Sequence, residues 1–74
     1  MSTLPTFETL SDAMDWMYEE INDTCVDNYR SALCSSEEET EKYEEIRSSG
    51  CCGSFDQVVL VDNQEYLIGC NYGH

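Results

Sequence analysis

Six carboxylates fall between Glu37 and Glu45 in the stretch SSEEETEKYEEIRSSGCCG, with Lys42 as the only cation among them. The adjacent thiols Cys51 and Cys52 follow directly. Carboxylates at that density draw cations or basic protein surfaces, and thiolates hold soft metals such as zinc. Each chemistry makes its own demand on the elements that carry the side chains.

The thiols are the simpler case. Cys51 and Cys52 precede a β-rich run that is closed by Cys70 and, at the last position, His74. A hairpin would bring those two ends together. Cys51 or Cys52, Cys70, His74 and one of Cys25 or Cys34 would then supply the four ligands that zinc takes in a tetrahedron. Against this, the usual Cys-x-x-Cys spacing is missing, and adjacent cysteines are poorly placed to share one metal. Buried thiols beside a glycine-rich turn are the favoured account. No cofactor is expected, and a small zinc-binding regulatory or structural domain using Cys51 or Cys52, Cys70 and His74 is the alternative.

Enzymatic chemistry finds little support. There is a single histidine, no glycine-rich phosphate loop and no defensible Ser–His–Asp arrangement, and nothing matches the spaced calcium loop. Acid–base work by paired carboxylates needs a pocket that separates their pKa values, and 74 residues leave little room to enclose one. The expectation is a protein that binds and does not catalyse.

The charge balance then narrows the partner. Sixteen Asp and Glu stand against three Lys and Arg, a formal net charge of −13. Such a field repels nucleic acid and anionic membranes, so neither is expected as a direct ligand. The N-terminal MSTLPTFETLSDAMDW lacks the basic start and apolar core of a signal peptide, and no run reaches membrane-spanning length. With an odd count of five cysteines, read as thiols, this predicts a cytoplasmic protein, whether a monomer or a homodimer joined through a strand edge.

The elements that must position these groups follow from periodicity. Residues 1–8 read as an arm containing Pro5, and a helix capped by Thr9 or Ser11 follows. Leu10, Ala13, Met14, Met17, Ile21 and Cys25 form its apolar stripe, with Tyr18 at the stripe's edge. The segment CVDNYRSALCSS is read as a connection with some helical character, which makes 9–49 a helical part. Ser36 and Glu39 then form a capping box that opens a second helix, with Tyr43 and Ile46 as a narrow apolar seam and Gly50 as its stop. Residues 54–72 read as a β-hairpin turning at Asp62-Asn63-Gln64. Two strands alone are marginal, so the hairpin must pack on the helices, recruit a third strand or pair with another chain. The predicted fold is a small single α+β domain over residues 1–74, with two helices packed on a C-terminal hairpin.

On helical wheels the acids gather. Asp12, Asp15, Glu19 and Asp23 share one side of the first helix, and Glu37, Glu38, Glu41, Glu44 and Glu45 share a broad face of the second. Capping explains the early glutamates of the second helix but not Glu41, Glu44 and Glu45. Four carboxylates along about 16 Å of the first helix give one per roughly 5 Å, against one per about 3.4 Å on a DNA strand. Two such rows on neighbouring helices would approach the nucleic-acid spacing.

In charge excess, length and acidic helical faces the chain resembles the small virus-encoded DNA-mimic inhibitors, although no motif of any one such family is present. The resemblance implies a strategy: occupying the basic nucleic-acid-binding groove of a partner protein, as anti-restriction and anti-CRISPR inhibitors do, in the host cytoplasm. The nine acids of the two rows would replace phosphates. Trp16, which falls on the acidic side of its wheel, would be an apolar anchor at the interface. The competing reading of Trp16 folds it under the arm against Leu4 or Phe7, and that of the acids is a solvated surface or an adaptation to salt.

Overall fold

The computed structural model describes residues 3–21, 26–50 and 53–72. In chain order the elements are β1 (Thr6–Phe7), α1 (Leu10–Ile21), β2 (Val26–Leu33), α2 (Glu37–Ser49), β3 (Gly53–Val61) and β4 (Gln64–Tyr72). They form one four-stranded sheet in the order β1-β3-β4-β2, with both helices packed on it. The expected α+β class and the C-terminal hairpin are both present.

The β3–β4 hairpin turns at Asp62 and Asn63, which have φ values of 52° and 64°. Two consecutive left-handed residues match the right-handed strand twist, and Asp and Asn tolerate that region better than most residues. β2 pairs antiparallel with the far side of β4, and β1 adds in parallel to the end of β3 through Thr6–Leu60 and Phe7–Val61. The hairpin therefore recruits two strands, one from each part of the chain that precedes it.

Two expectations are corrected here. Residues 26–33, read as a connection with helical character, are a strand, so the 9–49 segment is two helices with β2 between them. Its side chains alternate across the sheet, but a buried arginine, Arg30, takes a position where an apolar residue would have betrayed the period. The pairing register also slips between Asp27 and Arg30, where Asn28 has a φ of 53°. The 1–8 arm, in turn, contributes strand β1.

The helices occupy opposite faces. Ile68 and Cys70 of β4 join Ala13 and Met17 of α1, with Val59 and Val61, in the buried core. The intervening residue, Gly69, lies beneath Tyr43 of α2. Neighbouring residues of a strand point to opposite sides, so α1 covers one face and α2 the other. α1 starts as expected, with Thr9 Oγ1 accepting from the Asp12 amide at 3.2 Å, and Leu10, Met14 and Ile21 extend its apolar stripe into the core. Cys25 and Asp23 lie outside the described residues.

α2 is a different kind of helix. Ser36 Oγ accepts from the Glu39 amide at 3.3 Å, but Glu39 Oε1 accepts from Leu33 N at 3.0 Å, so half of the expected capping box is spent on β2. Tyr43 is the one buried residue of the helix, and Ile46, read as its seam partner, is 39% exposed. Tyr43 is thus the one side chain of the helix that the sheet buries fully.

Gly69 makes that possible. A Cβ there would meet Tyr43 Oη, Asp56 Oδ1 at 2.7 Å and the Phe55 carbonyl oxygen at 2.5 Å, and the last is backbone that cannot yield. Gly69→Ala is expected to destabilise the protein by about 2 kcal/mol or more, read as a lower urea midpoint, with α2 losing amide protection before β3 and β4.

Candidate functional site

Tyr43 docks on a carboxylate. Its hydroxyl donates a short hydrogen bond to Asp56 Oδ1, which also accepts from Arg30 Nη2 at 3.2 Å. Asp56 Oδ2 accepts from Arg47 Nε at 3.1 Å and from Ser54 Oγ at 3.3 Å. One side chain of β3 therefore gathers a phenol and a guanidinium from α2, a second guanidinium from β2 and a hydroxyl from its own strand. Arg30 is buried, and its Nη1 also donates to Asn71 Oδ1 at 2.7 Å and to the Asn28 carbonyl at 3.1 Å. Its Cζ lies 5.2 Å from the centre of the Tyr43 ring, within cation–π range. Asn71 completes the anchor by donating to the Gly53 carbonyl at 3.3 Å, and its amide fills the space that a side chain at Gly50 would need. Gly50 stops the helix as expected, with an extended φ of −80°, so the glycine serves this close approach.

The ionisation states follow from the packing. Partial desolvation pushes the Asp56 carboxyl up, but the hydrogen bonds from Tyr43, Arg30 and Arg47 outweigh it and leave it below the ordinary aspartate range. Burial, and then the bond to Asp56, push the Tyr43 phenol well up. At neutral pH Asp56 stays a charged acceptor and Tyr43 a protonated donor. Such a pair is suited to holding a helix and badly poised to trade protons.

The anchor decides how much of the surface charge is compensated. The chain has two arginines, Arg30 and Arg47, and one lysine, Lys42. Both arginines converge on Asp56. Arg47 makes one further, looser contact, 3.8 Å from Glu44 Oε2, and both of those groups are largely exposed, where such pairs contribute little. Glu37, Glu38, Glu41 and Glu45 are exposed and have no ion pair among the described residues.

Along α2, the five glutamates Glu37, Glu38, Glu41, Glu44 and Glu45 span about 12 Å of the axis, an average step of about 3 Å. That is close to the roughly 3.4 Å phosphate step of one DNA strand. On α1, Asp12, Asp15 and Glu19 are exposed, but they ride on the other side of the sheet. The two rows expected to act together therefore point away from each other, and only α2 reaches nucleic-acid charge density by itself.

Trp16 is corrected too. Its ring packs 5.5 Å from Phe7 and 6.2 Å from Phe55, against the core, so it belongs under the N-terminal strand as its competing reading had it. Tyr18, read as part of the core stripe, is 44% exposed.

Of the metal candidates, Cys25, Cys51, Cys52 and His74 lie outside the described residues. Cys70 is buried beneath α1 with its thiol pushed up by desolvation, and Cys34 is exposed. The described residues hold no group of three metal-binding side chains. They also contain no helix long and apolar enough to cross a membrane.

Comparison with protein-family models, curated proteins and solved structures finds no match for this chain. Its function has to be argued from its own residues. Sequence reasoning missed the Asp56 anchor, and the available signal was scarcity: a chain with three cations invites the question of what each one neutralises.

The anchor gives a pH prediction. Asp56 has a lowered folded-state pKa, so the stability it contributes is present above its unfolded value of about 3.9 and is lost as pH falls through the folded value. Asp56→Asn leaves Arg30 buried without its counter-charge and should cost on the order of 3 kcal/mol at pH 7. The deficit should begin to shrink below about pH 4, where the unfolded chain's carboxyl takes up its proton, and should close as pH falls through the lower folded value. Urea melts of both proteins from pH 7 to pH 2.5 check this, and parallel curves over the whole range would contradict it.

Proposed function

We propose that this protein is an acidic, non-enzymatic binding protein that occupies a basic, nucleic-acid-binding groove of a partner protein, in the manner of DNA-mimic inhibitors. The reading is supported above all by the α2 face. Glu37, Glu38, Glu41, Glu44 and Glu45 are exposed at nearly phosphate spacing, and the arginines that could have neutralised them are drawn to Asp56. A groove evolved to strip counterions from DNA gains the same free energy from a rigid row of carboxylates. The helix dipole places its positive end among Glu37, Glu38 and Glu39, which keeps the row ordered before the partner arrives.

Rigidity also favours this reading over a merely solvated surface. α2 is fixed at Tyr43, at Glu39 and at Arg47, three points spread along its length. A preorganised surface loses less conformational entropy on binding than a flexible acidic tail does. In this arrangement α2 carries the contact, and Asp12, Asp15 and Glu19 add only to the long-range field that steers the encounter.

Immobilised protein, challenged with lysate of its natural host, should retain a nucleic-acid-binding protein at about 50 mM salt. It should release that protein at about 500 mM salt or on addition of duplex DNA. Replacing Glu41, Glu44 and Glu45 together by lysine alters only exposed side chains and should abolish retention while leaving the circular dichroism spectrum intact. Unchanged retention by that variant, or indifference of the captured protein to DNA, refutes the reading.

A further inference from the structure

We propose that the outer edge of β2 accepts an extended, basic segment of a partner protein as a fifth strand. β2 ends the strand order, so one of its sides has no neighbouring strand among the described residues. The Cys34 amide donates inward to the Glu65 carbonyl of β4 at 3.0 Å. Amides alternate along a strand, so those of Leu33 and Ser31 face outward. Leu33 N is taken by Glu39 Oε1 at 3.0 Å, and the slipped register between Asp27 and Arg30 disrupts the other end. A short window centred on Tyr29 to Ser31 is left open. Bulges and charges near an edge normally discourage pairing, and here they confine it to one place.

Exposed apolar side chains lie near that window. Among the described residues the three exposed large hydrophobics are Tyr18, Tyr29 and Ile46. Tyr29 belongs to β2 itself. Ile46 lies one heptad from Glu39, which touches β2, and so sits on the flank of α2 away from Asp56. Tyr29 on the strand and Ile46 on the helix beside it thus offer apolar contact to the side chains of an added strand.

Charge selects the occupant. A second copy would bring −13 against −13, which opposes self-pairing. The Glu39 carboxylate stands at one end of the window. A segment alternating apolar residues with lysine or arginine satisfies the amides, the apolar border and the field together. This surface is distinct from the glutamate face of α2 and shares with it only the basic character of the partner.

The test titrates isotope-labelled protein with an octapeptide of alternating lysine and valine, beside a control with glutamate in place of lysine. The basic peptide should shift the Tyr29 and Ser31 amide resonances and slow Ser31 exchange at least tenfold, and the acidic one should do neither. Ser31→Pro removes an outward donor but no β4 ladder bond, so it should weaken binding at least tenfold with β4 protection unchanged. Should that variant misfold, Tyr29→Ser should show the same loss. Wild-type affinity in the variant that folds overturns the proposal, as does an absence of any shift. Shifts confined to α2 overturn it while leaving the glutamate-face reading intact. Dimerisation at low salt in a sedimentation experiment overturns it as well, by making a second copy the occupant. The lysine-reversed α2 variant should keep the peptide-induced protection at Ser31, which separates failure of one surface from failure of the other.

Discussion

Asp56 draws both arginines of the chain to one point between the sheet and α2, and the character of the molecule follows from that convergence. A protein with sixteen acids and three cations has a choice: spread the cations as surface counter-charges, or spend them on structure. Here two of the three are spent on structure. The interior gains a polar joint in which Arg30 Nε alone lacks a hydrogen-bond partner among the described residues, and the exterior is left almost entirely anionic. Isolated burial of Arg30 would be prohibitive, but a carboxylate, an amide oxygen, two backbone carbonyls and an aromatic face share its charge.

The sheet consequently has two unlike faces. Toward α1 it presents Val59, Val61, Ile68 and Cys70, a conventional apolar core closed at its side by Phe7, Trp16 and Phe55. Toward α2 it presents Arg30, Asp56, Gly69 and Asn71, with Ala32 buried beside them, and these position the helix chiefly by hydrogen bonds and shape. An apolar underside would have required α2 to carry a hydrophobic stripe at the expense of part of its charged circumference. The polar joint needs only Tyr43 and Arg47 from the helix, so most of its remaining positions are free to be acidic or small.

Much of this architecture can be read from the chain, because most elements obey simple periodicities. The stripe of α1, the Ser36 cap, the Gly50 stop and the Asp62-Asn63 turn are all local signals, and each falls where the pattern puts it. β2 is illegible for the opposite reason: its inward positions include an arginine that only the tertiary structure can satisfy, and its register is broken by a bulge. Trp16 misleads because a wheel reports angle and not what lies beside the helix, and β1 is what covers it. The direction of each acidic row likewise depends on which face of the sheet its helix takes. That is a matter of long-range topology, and no window of sequence encodes it.

The joint beneath α2 also imposes an order of assembly. Asp56, Gly69 and Asn71 come together only when the hairpin is in register, and Arg30 arrives only when β2 has been laid beside β4. A helix with a greasy stripe can collapse early onto any apolar surface, whereas this one has nowhere to land until the sheet is complete. α2 is therefore expected to settle last and, in the reverse direction, to be the first cooperative unit to lift away. The phosphate-like face exists only on molecules that have finished folding, so partly folded chains present loose acid and not a spaced array.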